Sequence, residues 1–166
     1  DVHNMAVDPF ALGKFAGKKR KNRRGKFASP YDRPMLDFFN KLDANPPAIN
    51  SAFLCGHTTL RVGAMKDLRR AATNDEISRM RDDLGEALDA GVVGLSTGLA
   101  YDPAQAAPTS EILSLADMLG PVGGLYTTHL RNESDDIISA LEEAFLIGRE
   151  SDTCLLYTSD AADEGL

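Results

Sequence analysis

Short apolar segments alternate with longer amphipathic segments along this chain, and that alternation sharply limits the folds open to it. The short segments at 49–54, 91–95 and 124–128 are typical of buried β-strands, and each is followed by a helical pattern. Three strand–helix units predict a parallel sheet with helices outside it. The pattern does not choose between an open sheet and a closed barrel, and three units are too few for a barrel of about eight.

The helix boundaries are marked by capping residues. Thr73 and Glu76 match a capping box, and Gly91 is the predicted end of the helix that they open. Thr109 and Ser134 are the predicted N-caps of two later helices. Further helices are predicted at 34–43 and 59–72. The predicted packing faces are Ile77, Met80, Leu84, Ala87 and Leu88 in the capped helix, and Ile137, Leu141, Phe145 and Gly148 in the last one.

Charge is distributed unevenly along the chain. The net charge is -7, yet residues 14–26 carry eight lysines and arginines and no acidic residue. Such a block could bind nucleic acid or an anionic membrane. It has little aromatic interleaving and no known nucleic-acid motif, so a solvated arm is the favoured interpretation and a nucleic-acid partner is not expected. Together with the strand and helix pattern, this charge distribution divides the chain into an irregular basic leader (1–33), a partial barrel domain (34–150) and a tail (151–166).

The tail permits two interpretations. Residues 154–158 have the composition of a strand, whereas 154–164 resemble a translated sequencing adapter. The second favours a non-native or disordered tail after about residue 150. The chain has no apolar run of the roughly 18 residues that a membrane span needs, so no membrane partner is expected. Its two distant cysteines, Cys55 and Cys154, fit a reducing, cytoplasmic location.

Polar residues collect where each predicted strand ends. His57 follows the first strand, Ser96 and Thr97 the second, and His129 and Arg131 the third. The carboxyl ends of parallel strands line the active site in α/β folds. Imidazole is a good zinc ligand, and a guanidinium can hold a carboxylate in a fork. Taken alone, however, a histidine at a strand end is more often structural.

Three segments stand out when they are taken together: Gly56-His57-Thr58-Thr59-Leu60-Arg61, Gly94-Leu95-Ser96-Thr97-Gly98-Leu99-Ala100-Tyr101 and Thr128-His129-Leu130-Arg131-Asn132-Glu133. In this order they resemble the patterns Gly-His-x-x-Leu-Arg, Gly-Leu-Ser-Thr-Gly-Leu-x-Tyr and Thr-His-x-Arg-x-Glu of the N-acyl-D-amino-acid deacylases (D-aminoacylases), a family of the amidohydrolase superfamily. The resemblance covers roughly residues 34–150, as a fragment of that family.

The resemblance implies a fold, a cofactor and a substrate. The fold would be α/β, part of a (β/α)8 TIM-type barrel, and the enzyme a zinc-dependent hydrolase that cleaves N-acyl-D-amino acids. His129 corresponds to a zinc ligand and Tyr101 to a residue that binds the substrate carboxylate. Candidate residues lining the site are His57, Ser96, Thr97 and Arg131.

The chain also departs from the family pattern. It lacks the early His-x-His strand, the Asn-Cys-Gly segment, the second ligand histidine and the later catalytic aspartate, so no catalytic residue is assigned and the general base is expected outside this chain. Cys55 precedes Gly56-His57 and is predicted to be a packing residue.

Three alternative functions stay open. The chain could belong to a dihydroorotase- or hydantoinase-like branch, against which Tyr101 and the 96–98 turn argue. It could be a phosphate-binding α/β module, although the Gly-x-Gly-x-x-Gly and Walker patterns are missing. It could also be a non-catalytic fragment that binds nucleic acid through the basic arm.

Overall fold

The computed structural model describes residues 34–158, which build a four-stranded parallel sheet. The strands are β1 (Leu54–Gly56), β2 (Gly94–Gly98), β3 (Leu125–His129) and β4 (Cys154–Thr158), and they lie in the order β1-β2-β3-β4. The predicted parallel, in-order arrangement of the first three strands is confirmed. The basic leader, including the block at 14–26, lies outside the described residues.

Helices connect and cover the strands. They are α1 (Pro34–Ala44), α2 (His57–Ala64), α3 (Asn74–Ala90), α4 (Asp102–Gln105), α5 (Thr109–Ala116) and α6 (Ile137–Glu150), and a 3-10 turn lies at Gly120–Val122. No helix among the described residues has the length and apolar character that a membrane crossing requires.

Helix α3 forms as its sequence predicts. The Thr73 hydroxyl accepts the Glu76 N–H at 3.3 Å, and the Glu76 carboxylate accepts the Thr73 N–H at 2.8 Å, which completes the capping box. Gly91 ends the helix with φ of 121°, a conformation that costs a residue without a Cβ little. Met80, Leu84 and Ala87 are buried, so the predicted packing face is confirmed.

Other boundaries differ from the prediction. The first strand begins at Leu54, and Ile49 is 69% exposed rather than buried. The second begins at Gly94, so that Ser96 and Thr97 belong to the strand instead of the following turn. Helix α2 ends at Ala64, because Met65 is already extended. The hydrogen-bonded ladder, rather than the apolar run, decides where each strand begins.

Two predicted N-caps have other partners. Pro108 and Asp136 occupy the N-cap positions of α5 and α6. The Thr109 hydroxyl donates to Glu143 at 2.7 Å instead, and the Ser134 hydroxyl lies 3.1 Å from the Asn132 side-chain oxygen. In α6 the predicted packing face is confirmed except at one residue, because Ile137 and Leu141 pack against a buried cluster and Gly148 is buried. Phe145 is exposed, whereas Ala140, Ala144, Ile147 and Gly148 are buried.

Part of the predicted tail is ordered. Residues 151–158 continue the domain, and β4 pairs in parallel with β3 over five residues from Leu125↔Cys154 onward. Leu155 packs against the core and lies close to where a Cβ on Gly148 would be. The strand that the composition of 154–158 predicts is present, the boundary of a non-native or disordered tail near residue 150 stays a prediction, and 159–166 lie outside the described residues.

The main core lies between the sheet and the helices. Leu95 and Tyr126 contribute from the sheet, and the helices add Met80, Leu84, Ile112 and Leu115, all with no exposed surface. A smaller cluster on the other face joins Ala52, Leu54 and Val93. The strands approach closely at Gly94, where a Cβ would lie 2.0 Å from the Leu125 carbonyl oxygen, so this position admits only glycine.

Candidate functional site

The strand register brings the predicted site residues to one edge of the sheet. Gly56 lies level with Ser96, and Gly98 lies level with His129. Because the strands are parallel, all their carboxyl ends meet at that edge, and His57 and Tyr101 follow directly from β1 and β2. The sequence-based prediction of a shared edge is confirmed, whereas the roles of these residues stay predictions.

Tyr101 and His129 are neighbours at this edge. Their ring centroids lie 5.8 Å apart and the rings meet edge to face at 72°. The tyrosine side chain is well exposed, and His129 Nδ1 lies 3.5 Å from a Glu133 carboxylate oxygen, a long contact. The arrangement places an imidazole and a phenol side by side at the carboxyl end of a parallel sheet, where α/β enzymes bind ligands.

Ser96 and Thr97 face opposite sides of β2, because successive side chains in a strand alternate. The Ser96 hydroxyl is buried and finds no hydrogen-bond partner among the described residues. Thr97 points toward the helices and belongs to a buried polar chain. The Tyr126 hydroxyl lies 3.1 Å from Thr97 Oγ1, which donates to Thr128 Oγ1 at 2.7 Å, and Thr128 donates to the His129 carbonyl at 2.8 Å. Thr97 therefore links β2 to β3 on the side of the sheet that faces the helices.

His57 lies in a fully buried network beneath the edge. Its Nε2 is 2.9 Å from Glu111 Oε1, which also accepts a hydrogen bond from Arg61 Nη1 at 2.5 Å. Arg61 donates further to the carbonyls of Leu68 and Arg70, and the Ala72 N–H donates to Glu111. All the side-chain surface of His57, Arg61 and Glu111 is removed from solvent.

The charges of this network are fixed by its surroundings. Burial lowers the pKa of His57 despite the neighbouring carboxylate, so the imidazole is neutral and its Nε2–H donates to Glu111. Burial raises the pKa of Glu111, but hydrogen bonds from His57, Arg61 and the Ala72 N–H outweigh it and hold the pKa below its usual range. The network therefore contains one guanidinium–carboxylate pair and a neutral histidine, and its contacts are structural.

Sequence reasoning missed the role of Glu111. In the sequence it is only an acidic residue two positions after Thr109, in the first turn of a predicted helix, where an acid suits the helix dipole. No sequence signal pairs it with Arg61, because 50 residues separate the two. The one available signal was the position of Glu111 on the apolar side of its helix beside Ile112 and Leu115, where a charge requires a partner.

Arg131 does not present a free fork. Its Nε and Nη2 donate to both carboxylate oxygens of Glu143 at 2.8 Å, and Nη1 and Nη2 donate to the carbonyls of Gln105 and Ala107 at 2.9 Å. The sequence-based expectation that this guanidinium could grip a substrate carboxylate is not supported, because the protein itself occupies the fork.

The described residues do not form a complete metal site. Residues 34–158 contain no group of three or more histidine, cysteine, aspartate or glutamate side chains that could hold a metal ion. Cys55 is buried as predicted, and burial followed by the charge of Asp83 raises the pKa of its thiol to about 12, so it stays protonated. His129 alone cannot satisfy zinc, which takes three or four protein ligands.

Comparison with known proteins gives consistent relatives. No protein-family model matches the chain. It is 49% identical over 116 residues to a D-aminoacylase and 50% identical over 123 residues to an N-acyl-D-aspartate deacylase, both from Alcaligenes xylosoxydans xylosoxydans. These matches cover 70% and 74% of this chain but only 24% and 25% of the relatives. The chain thus spans about a quarter of the length of the curated relatives that it matches.

Solved structures agree. A crystal structure of D-aminoacylase, described as defining a novel subset of amidohydrolases, superposes with a TM-score of 0.73 at 40% identity, over 83% of this chain and 31% of that one. An N-acyl-D-glutamate deacylase from Bordetella bronchiseptica, solved with zinc and a phosphonate inhibitor, gives 0.70 at 40% identity, over 81% and 27%. The prediction of an α/β fold that forms part of an amidohydrolase barrel is confirmed, and this chain belongs, as a partial sequence, to the D-aminoacylase family of amidohydrolases.

Proposed function

We propose that this chain is part of a zinc-dependent amidohydrolase that hydrolyses the amide bond of N-acyl-D-amino acids. The observation that carries the proposal is the pairing of Tyr101 and His129, 5.8 Å apart at the carboxyl end of the sheet. Relatives of this chain are named as a D-aminoacylase and as deacylases of N-acyl-D-aspartate and N-acyl-D-glutamate, which favours this branch over a dihydroorotase- or hydantoinase-like one.

Two residues of this chain have proposed roles at the substrate. The Tyr101 hydroxyl donates a hydrogen bond to the carboxylate of the D-amino acid and so fixes the orientation of the scissile amide. His129 supplies one ligand to the zinc ion. The described residues do not complete the ligand set, and the proposed general base is an aspartate outside these 166 residues.

The proposal extends to the compartment and the partners of the protein. Cys55 and Cys154 are both unpaired thiols, which supports a reducing, cytoplasmic location. The substrate is a small molecule with an amide and a carboxylate, and neither a membrane nor a nucleic acid is part of the proposal.

The test uses the longer protein that contains this segment. We expect it to bind zinc and to hydrolyse N-acetyl-D-amino acids, and a His129→Ala variant to lose at least about 100-fold in activity together with bound zinc. Glu142→Ala, an exposed change on α6, serves as the control and should retain both. Full activity in the His129→Ala variant would overturn the ligand assignment. A zinc-loaded parent protein that does not hydrolyse these substrates would overturn the proposed function.

The 166-residue chain itself should behave differently. We expect no measurable deacylase activity and only weak zinc binding, because a single ligand histidine cannot hold the ion. Metal analysis after dialysis against zinc tests this directly. Stoichiometric, tightly bound zinc accompanied by turnover would show that the chain contains a complete site.

A further inference from the structure

The segment that carries Tyr101 is held in place by side chains from outside it. We define the Tyr101 loop as residues 99–108, which join β2 to α5 and contain the short helix α4. We propose that Arg131 is a positioning residue which, together with Glu143, fixes the Tyr101 loop against the end of β3, where His129 lies. The inference rests on the proposed function for its consequence in catalysis, but its structural basis is independent of that function.

Arg131 joins three parts of the molecule. It lies two residues after His129, its guanidinium forms a two-pronged pair with Glu143 on α6, and it donates to the carbonyls of Gln105 and Ala107 in the Tyr101 loop. Thr109, at the start of α5, donates to the same Glu143 at 2.7 Å. The Arg131–Glu143 pair therefore connects the end of β3 and helix α6 to residues 105–109, the C-terminal part of the Tyr101 loop and the start of α5.

Backbone hydrogen bonds carry this restraint to Tyr101. The Tyr101 carbonyl accepts the N–H groups of Ala104 and Gln105, each at 2.9 Å, and the Ala107 N–H donates to the Ala104 carbonyl at 3.0 Å. Gln105 is therefore bound to Arg131 through its carbonyl and to Tyr101 through its N–H. Only one residue separates the guanidinium from the backbone of Tyr101 along this path.

The guanidinium has little capacity left for a ligand. Arginine has five N–H donors, and the contacts to Glu143, Gln105 and Ala107 use four of them. The Glu143 carboxylate sets the orientation of the fork, and its hydrogen bond raises the pKa of Arg131, which stays charged. A group bound in this way controls geometry, whereas a substrate-binding arginine would keep two parallel donors free.

The first experiment measures the loop itself by hydrogen exchange in the 166-residue chain. Arg131→Lys keeps the charge but removes the planar fork. We expect the amide exchange rates of Ala104, Gln105 and Ala107 to rise by about tenfold or more. Glu143→Gln should reproduce the change, because the Glu143 carboxylate accepts the hydrogen bonds that orient Arg131 and Thr109. Arg149→Lys is the matched control, because that arginine is 71% exposed and its contact to Glu150 is long at 3.6 Å.

Two results of the exchange experiment would count against the proposal. Unchanged exchange in the loop of Arg131→Lys would overturn it, and so would a rise in Arg131→Lys that Glu143→Gln does not share. If Arg131→Lys raised exchange throughout α3 and α5, the variant would be globally unfolded, and Glu143→Gln alone would then decide.

The second experiment measures catalysis in the longer protein. Arg131→Lys should lower kcat/KM for N-acetyl-D-amino acids by about 10- to 100-fold, mainly through KM, with zinc content unchanged. In a Tyr101→Phe background the same change should cost less than about twofold, because the residue through which it acts is already impaired. Fully additive losses would overturn the proposal. A parent protein without deacylase activity would refute the proposed function, while the exchange result would still decide whether Arg131 positions the loop.

Discussion

His57 and His129 occupy equivalent places in the chain and have very different surroundings. Each stands where a parallel strand ends, inside a motif shared with the same family. His57 turns beneath the sheet edge and is fully buried with Arg61 and Glu111, whereas His129 stays at the edge beside Tyr101. A position at the end of a parallel strand therefore brings a residue to the edge of the sheet. Whether the residue can contact a ligand depends on whether its side chain stays at that edge or is buried beneath it.

The largest expected effect tests the buried side of this contrast. Glu111→Ala leaves the Arg61 guanidinium without its carboxylate in a site closed to water, and it should lower the free energy of unfolding by about 3–5 kcal/mol. Urea denaturation of the 166-residue chain measures this loss. Glu142→Ala removes an exposed glutamate and should cost less than about 0.5 kcal/mol. Equal losses in the two variants would show that the buried network is not structural.

A second prediction concerns Thr97, which lies behind the strands. Thr97→Val removes the hydroxyl that links Tyr126 to Thr128, leaving two buried oxygen atoms with fewer partners. We expect a loss of about 1–3 kcal/mol in the free energy of unfolding, measured by urea denaturation. A loss below about 0.5 kcal/mol would mean that this polar chain contributes little.

The third prediction uses pH. His57 has a folded-state pKa below its ordinary value of 6.5, chiefly because it is buried, so the unfolded chain takes up the proton first. The contribution of His57 to the free energy of unfolding is therefore complete above pH 6.5. It should decrease as the pH falls below 6.5, by at most about 1.4 kcal/mol per pH unit for this one group. Urea denaturation between about pH 7 and pH 5 should show the slope, and His57→Gln should flatten it. An unchanged slope in His57→Gln would contradict the assignment.

The smallest effect is expected at Ser96, next to Thr97 but on the opposite face of β2. Its buried hydroxyl has no hydrogen-bond partner among the described residues, so removing the hydroxyl forfeits no bond within the described part of the chain. We expect Ser96→Ala to change the free energy of unfolding by less than about 0.5 kcal/mol, in either direction. A large loss, measured beside Thr97→Val, would show that Ser96 has an undescribed partner.

Much of the fold follows from local sequence signals. Hydrophobic periodicity and capping residues predict α3 almost to the residue, because the Thr73–Glu76 pair and Gly91 act within one helix. The strand edges were less predictable. β2 begins at Gly94 because its pairing with β1 and β3 begins there, and its partner in β3, Leu125, lies 31 residues away in the sequence.

The candidate site shows the same limit. Motifs placed His57, Ser96, Thr97, Tyr101, His129 and Arg131 at one edge, and the register agrees. They could not say that Arg131 would be bound by Glu143 or that His57 would be buried against Glu111, since those partners lie on helices distant in sequence. Side-chain direction and pairing across elements are tertiary properties, and short motifs do not encode them.

The order β1-β2-β3-β4 has a practical consequence for handling this chain. Within the described residues, β1 and β4 each pair with one neighbour, so each outer strand has a row of peptide groups facing away from the sheet. Leu156 and Tyr157 of β4 are also each 45% exposed. Such an edge is a template onto which another chain can add a strand, so concentrated samples should form oligomers whose size grows with concentration. Light scattering would detect these oligomers, and Leu156→Lys should keep the chains monomeric.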